Sequence, residues 1–401
     1  MGTVRSAIVV GGGIAGPVAA LALRKAGIAA TVYEGHDGVA DGVGGALSIA
    51  PNGRTALAAV DADHVVERVG TPMSGMVMQS WTGKRLAEFG SFDDLPPMQL
   101  VWRHELYRAL YDEAVARGVR IVHGKRVVSV QGGVAGFADG STAEADVVIG
   151  ADGIRSTVRR LIDPAAPAPR YVGLLGFGAR CGSAGVAPTG DKMHLVFGRR
   201  AFFGYQVTSA SDGGWFVNLP SKDPSYGATF SREEWLPILA DAFAGDRIPA
   251  AALIRGTDPA DLVVTGGLED IPSVPVWHRD RAVLIGDAAH PTSPSSGQGA
   301  SLAIESAVQL ARCLRDLPVP SAFTVYERLR RARVERVIAT AARTNSDKAA
   351  GPVARVLRDL LMPPMMRLFA DPAKWRWQFD HPIDFAAPVT AGAPLSASGT
   401  R

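Results

Sequence analysis

The chain has 401 residues, 47% of them hydrophobic and 20% charged, with a formal net charge of +3. This is the profile of a globular protein of two or three structural units, too weakly basic for a dedicated nucleic-acid binder. Its two cysteines, Cys181 and Cys313, exclude a disulfide framework or a cysteine metal cluster and suit a reducing, cytoplasmic compartment, and no stretch approaches the ~20 apolar residues of a membrane span.

Val4 to Val10 is a β-branched run bounded by Gly11. Ile14 to Ala26 has helical periodicity and a basic end, and Gly27 stops it. Ala29 to Tyr33 is apolar again and closes on Glu34, so the start reads as a parallel strand–helix–strand unit. A glycine-rich stretch follows, then a helix over 55–69. Strands with turns are expected over 72–99, and a helix over 103–117. Residues 119–122, 126–131 and 134–137, separated by glycines, predict a short meander. Ala145 to Gly150 is an apolar strand running into Ala151-Asp152-Gly153. From Tyr171 to Val276 the alternation of apolar and polar residues predicts an antiparallel sheet, with a helix over 233–244. Ala282 to Ile285 restores the parallel-strand texture, and helices are expected over 297–315, 322–343 and 353–369. The segment 386–401 reads as a disordered tail.

Gly11-Gly12-Gly13-Ile14-Ala15-Gly16 satisfies G-x-G-x-x-G between a strand and a helix. Gly11 permits the tight turn, Gly13 the approach of a pyrophosphate, and Gly16 close packing of helix on strand. The helix N-terminus offers free N–H groups to phosphates. Glu34 is placed to accept hydrogen bonds from ribose hydroxyls and would repel a 2′-phosphate. The ligand is therefore NAD or FAD. Two further acids follow apolar strands: Asp152 in Gly150-Ala-Asp152-Gly153-Ile-Arg-Ser156, and Asp287 in Gly286-Asp287-Ala-Ala-His290-Pro291.

With these three blocks the sequence resembles the FAD-dependent monooxygenases of the para-hydroxybenzoate hydroxylase type. The resemblance spans about residues 4–350. It implies an α/β fold: a Rossmann-like FAD-binding domain from 1–71, 100–170 and 277–350, with an inserted antiparallel-sheet substrate domain from 72–99 and 171–276, and C-terminal helices over 351–385. The first block then holds the ADP half of FAD, and Asp287 the ribityl chain. Asp152-Gly153 serves the nucleotide fold and the pyridine nucleotide. Arg103 lies along FAD, Gly45 and Ala46 pass near the flavin ring, and the Val127 backbone meets adenine. Two departures stand out. Asp41-Gly42 occupies the place of an arginine found in many relatives, and Ser301 and Ser306 replace the usual Asn and Asp.

The loop from Pro291 to Ala300, through Pro294, Gly297 and Gly299, feeds a helix whose first N–H groups, about 297–300, would face the flavin and stabilise its reduced anion. The implied cycle uses NADH or NADPH, which the sequence does not separate, and O2. It transfers one oxygen from a C4a-hydroperoxyflavin to a small aromatic, phenolic or polyketide-like molecule. No side chain is assigned as the catalytic acid or base, and no metal is expected. Arg328, Arg330, Arg331, Arg333 and Arg336 read as a solvated face, with Glu327 and Glu335 as partners. Met193, Phe203, Tyr205 and Trp215 are the expected substrate-lining residues, spaced as if facing out from strands. A Met/Leu cluster at 362–369 is read as an ordinary core helix. A sister flavoenzyme remains an alternative, whether halogenase, epoxidase or double-bond reductase. So does a non-catalytic flavin- or NAD-binding sensor. The only W-x-W is Trp375-Arg376-Trp377, which lacks the halogenase tail and lies near the wrong end. The oligomeric state is left open.

Overall fold

A computed structural model describes residues 4–38, 44–348, 351–369 and 373–392. Asp41 and Gly42 lie outside the described residues. The first strand, Ser6–Val10, is the centre of a six-stranded sheet. Its order is His278–Arg279, Ala282–Leu284, Val147–Gly150, Ser6–Val10, Ala29–Tyr33, Arg120–Val122. All pairs are parallel except the first. The central strands are apolar on both faces because helices cover both. Ile8, Val9, Val147, Val148 and Ile149 are almost wholly buried. The helix Ala15–Lys25 packs against the helix Gly299–Asp316, which also packs on Pro51–Ala58.

A seven-stranded sheet forms the second layer. It runs Val263–Asp270, Arg170–Cys181, Gly213–Pro220, Phe202–Val207, Lys192–Phe197, Gly75–Ser80, Arg85–Gly90. Its pairs are antiparallel except the one between Lys192–Phe197 and Gly75–Ser80. One face carries Phe177, Phe203, Tyr205, Trp215 and Val217, packed under the helices Arg232–Ala242 and Ala250–Arg255. A small sheet of Ala46–Ile49, Met98–Trp102 and Thr71–Met73 also lies outside the main sheet.

Several elements depart from the sequence-based expectation. Residues 120–122 join the parallel sheet, and the meander is Val127–Gln131, Val134–Phe137 and Thr142–Glu144. The helix expected over 55–69 is two, Pro51–Ala58 and Asp63–Val69, broken at Asp61, whose φ is +60°. Residues 386–392 are ordered. Val389 is buried and its N–H donates to Asp316 at 2.8 Å, while Arg312 and Arg315 donate to the Ala387 carbonyl. Residues 393–401 lie outside the described residues.

The arginine run is not a uniformly solvated face. Arg331 does pair with Glu327 and Glu335, at 2.7 and 3.1 Å. Arg330 and Arg333 instead turn inward on the long helix Val319–Lys348 and meet the fully buried Glu305, at 2.5 and 2.8 Å. Helical spacing cannot reveal this, because the acid that claims them sits on the preceding helix.

Candidate functional site: a dinucleotide cleft facing a sheet

The loops that leave the parallel strands at their carboxyl ends gather at one edge of the six-stranded sheet. They are Gly11–Ile14 after Val10, Glu34 after Tyr33, Ala151–Gly153 after Gly150, and Ile285–Asp287 after Leu284. Parallel pairing alone brings these four together, and such an edge is where open α/β sheets bind ligands.

The glycine block has the required geometry. A Cβ on Gly16 would stand 1.9 Å from the Gly11 carbonyl oxygen, so only glycine lets the helix Ala15–Lys25 sit this close to its strand. A Cβ on Gly13 would meet nothing nearer than the Tyr107 hydroxyl at 3.8 Å, which leaves open space at the face expected to take the pyrophosphate. Ile14 immediately precedes the helix and Ala15 begins it.

Glu34 is held by backbone donors. The N–H of Gly12 donates to Oε2 at 2.6 Å, and the N–H of His36 donates to Oε1 at 2.9 Å. Burial by itself opposes ionisation, but these bonds and the nearby His36 ring hold the Glu34 carboxyl below the usual range. Glu34 is therefore a carboxylate at neutral pH, as ribose recognition needs. Val127 starts the strand beside it, which is tied in by the Lys125 N–H donating to the Glu34 carbonyl at 2.8 Å. We expect Glu34→Arg to weaken flavin binding about tenfold, the value of a charged hydrogen bond, in a fluorescence titration. Unchanged affinity would remove Glu34 from the site.

Asp287 and Asp152 look alike in sequence and differ here. The Asp152 carboxylate is used within the chain. It accepts from the Ser156 hydroxyl at 2.5 Å and from the N–H groups of Thr157 and Val158 at 2.7 and 3.0 Å, capping the helix Thr157–Ile162. Its side chain is thus engaged in shaping the loop that leaves the strand Val147–Gly150. Asp287 is the reverse. Among the described residues nothing donates a hydrogen bond to its carboxylate. Burial pushes its carboxyl up, and the charges of Arg103 and Arg159 oppose that shift. At the carboxyl edge of the sheet, the Asp287 carboxylate therefore keeps its acceptor capacity unused among the described residues.

Arg103 follows the small sheet directly. Its N–H donates to the Gly45 carbonyl at 3.2 Å, and its Nε to the Tyr107 hydroxyl at 2.6 Å. Gly45 has nothing within 4 Å of a built Cβ, and Ala46 beside it is exposed. The strand Ala46–Ile49 is locked to the Pro/Ser/Gly loop by the Ser48 hydroxyl donating to the Gly297 carbonyl at 3.1 Å. Pro294 opens a short 3-10 turn, and Gly297 adopts φ +60° after it. The N–H groups of Gly297 and Gln298 are bonded within this loop, to Pro294 and Ser296. The donors left without a backbone acceptor are those of Gly299, Ala300 and Ser301, shifted from the expected 297–300. They head an 18-residue helix. The buried Gln298 is also short of a partner at Nε2.

His290 is structural. It is buried, its Nε2 pairs with the Ser306 hydroxyl at 2.8 Å, and burial pulls its imidazole down to about 3, so it is neutral. Ser306 therefore has an internal task, as has Ser301, whose hydroxyl accepts from the Ala50 N–H at 3.0 Å.

Three of the four expected substrate residues need correction. Phe203, Tyr205 and Trp215 lie on the sheet face covered by the helices Arg232–Ala242 and Ala250–Arg255. They are at most 5% exposed, and Trp215 Nε1 donates to Thr257 at 2.9 Å. They are core. Strand alternation puts the neighbours at even positions, Phe202, Gly204, Gln206, Phe216 and Asn218, on the opposite face. Met193 shares that opposite face with Leu195 and Phe197. That face meets the cofactor side of the molecule: the Trp102 ring lies over Gly214, and Trp102 immediately precedes Arg103. Met362 packs at its far end, while the side chains of 365–369 lie outside the described residues.

The chain matches the family described as FAD binding domain over residues 5–250 and 272–341. It belongs to the FAD-dependent aromatic monooxygenases. It is 33% identical over 405 residues to 3-amino-4-hydroxybenzoate 2-monooxygenase of Streptomyces platensis, covering 95% of this chain and 96% of the relative. It is 30% identical over 349 residues to the aurachin C monooxygenase/isomerase of Stigmatella aurantiaca, covering 84% and 88%. Among solved structures, Klebsiella pneumoniae HpxO complexed with FAD and uric acid matches with TM-score 0.79 at 28% identity, covering 91% of this chain and 94% of that one. The cleft of this monooxygenase fits FAD on its own terms. Glu34 is ionised, the space beside Gly13 is open, Asp287 has no hydrogen-bond donor among the described residues, and the N-terminus of the helix Gly299–Asp316 has unused donors. Among the described residues no helix is long and apolar enough to cross a membrane.

Proposed function

We propose that this protein is an NAD(P)H- and O2-dependent hydroxylase that inserts one oxygen atom into a small, flat aromatic or phenolic molecule. The observation that carries this reading is a juxtaposition. The unused N–H groups of Gly299 and Ala300 head the helix fed by the loop locked to Ala46–Ile49, and Lys348 bridges that loop at Ser295 to Asn218 on the even-numbered face of the seven-stranded sheet. When bound, FAD supplies hydride acceptance and oxygen activation.

The chain's own residues then have distinct tasks. Gly11 to Gly16 and Glu34 hold the nucleotide half, and Asp287 holds the ribityl chain. Arg103, pinned to Tyr107, flanks the cofactor. The N–H groups of Gly299 and Ala300, with the partial positive charge of their helix, favour a negatively charged flavin ring. The apolar sheet face excludes water from the reacting atoms. The buried free thiols Cys181 and Cys313 are consistent with a reducing cytoplasm.

The test is a screen of phenols and aromatic acids for compounds that accelerate NAD(P)H oxidation, with labelled O2 tracing the product. A hydroxylated product carrying the label supports the reading. Flavin reduction without any oxygenated product would replace it with a reductase, and a protein that takes up no flavin would leave only a non-catalytic role.

A further inference from the structure

The sheet face that meets the cofactor loop carries a lysine that has no counter-ion among the described residues. Lys348, at the last turn of the helix Val319–Lys348, reaches into the seam between the two layers. Its Nζ donates to Asn218 Oδ1 on the sheet at 2.7 Å and to the Ser295 hydroxyl on the cofactor loop at 2.9 Å. It stands 4.3 Å from the centre of the Phe202 ring and 5.9 Å from that of Phe216. Among the described residues no carboxylate pairs with it. An ammonium has three donors, and both acceptors it has found are neutral. The adjoining turn is fixed as well. Asn345 Nδ2 donates to the Ser293 hydroxyl at 3.0 Å, so the end of this helix and the cofactor loop form one unit.

A second observation on the same face points to a ligand. Gln206 is 2% exposed, and neither its Nε2 nor its Oε1 has a hydrogen-bond partner. Strand alternation puts it on the face of Phe202 and Asn218, next to Gly214 in register and so beside the Trp102 ring. An amide left bare in a sheet interior costs stability unless something polar meets it. The face thus carries Lys348 over the buried Phe202 ring at one end and the unsatisfied Gln206 amide, beside Trp102, towards the other.

We propose that Lys348 is the specificity residue of this cleft, its ammonium binding the acid group, a carboxylate or a ring oxyanion, of an aromatic substrate that lies on the even-numbered face of the sheet beside the loop carrying Ser295. The proposal rests on the hydroxylase reading and narrows it to acidic substrates. Burial pulls the Lys348 ammonium down to about 7, as expected for a cation left without an anion, and an incoming anion would restore its charge. Gln206 is placed to satisfy a second polar group on the same ring.

The experiment compares acids with their amides on the FAD-loaded enzyme. The probe pairs are 3-amino-4-hydroxybenzoate with its carboxamide and 6-hydroxynicotinate with its carboxamide. Binding is read from the change in the flavin absorption spectrum. The wild type is expected to prefer at least one acid over its amide by about 10- to 100-fold, the value of a charge-assisted hydrogen bond. Lys348→Met should lose that preference by raising Kd for the acid while leaving the amide within about threefold, and Lys348→Arg should retain part of it. A purely structural tether would weaken both members of a pair alike, and that result overturns the proposal. If Lys348→Met sheds its flavin, Lys348→Arg and the wild type still decide, since equal affinities for acid and amide in the wild type overturn it. A wild type that hydroxylates only neutral aromatics overturns the proposal and leaves the hydroxylase reading intact. If no aromatic compound stimulates NAD(P)H oxidation, both fall.

Discussion

Asp287→Ala should purify folded and colourless. Among the described residues the carboxylate accepts no hydrogen bond, and burial works against its charge. Removing it therefore costs the apo-protein little, because no described donor loses a partner. The same removal takes away the acceptor offered to the ribityl hydroxyls. A charged hydrogen bond contributes about 1.5–3 kcal/mol, so flavin affinity should fall about 10- to 100-fold. The signature is the pair of results: a flavin titration that collapses, beside an apo melting temperature that does not. A variant that retains full flavin would contradict the role of Asp287. One that melts early without flavin would make it a structural residue, like Asp152.

Glu305→Ala should be strongly destabilising. Glu305 is fully buried and bridges two arginines. Its Oε2 meets Arg330 at 2.5 Å and Arg333 Nε at 2.9 Å, and its Oε1 meets Arg333 at 2.8 Å and the Asn52 amide at 2.6 Å. Without it, two neighbouring guanidiniums are left buried and uncompensated, a loss of about 3–5 kcal/mol, read as a lower urea midpoint. Arg333 also donates to the carbonyls of Trp377 and Gln378, so protease cleavage near 373–380 should rise with the same substitution. A change under about 1 kcal/mol would mean that the arginines find another counter-charge. Although burial opposes its ionisation, Arg330 and Arg333 hold the Glu305 carboxyl far below the ordinary 4.5. A group with a depressed folded pKa contributes its stability in full above the unfolded value and loses it as pH falls towards the folded one. Acidification should therefore erode the wild type more than Glu305→Gln, which has no such charge to lose.

Both predictions concern acids that the sequence displays openly, yet their roles come from different sources. Asp287 is legible because it stands directly after an apolar parallel strand, where the chain must turn at the carboxyl edge of the sheet. Asp152 has the same local context and proves to be a helix cap, because Ser156, Thr157 and Val158 fold back onto it. Glu305 lies in a helix where its neighbours suggest only a polar position, and its partners come from another helix.

The cofactor half of this protein was set down in its sequence. A strand, a glycine turn, a helix and a terminal acid are local patterns, and parallel pairing has one way of bringing their loops to the same edge. The substrate half was decided by tertiary structure. Alternation along Phe202–Val207 and Gly213–Pro220 names two faces, but which one turns to the helices depends on packing across the sheet, and a shift of one residue exchanges core for cleft. Lys348 carries no local signature at all. It becomes chemically distinctive only when folding sets it on two neutral acceptors, Asn218 and Ser295, over the Phe202 ring.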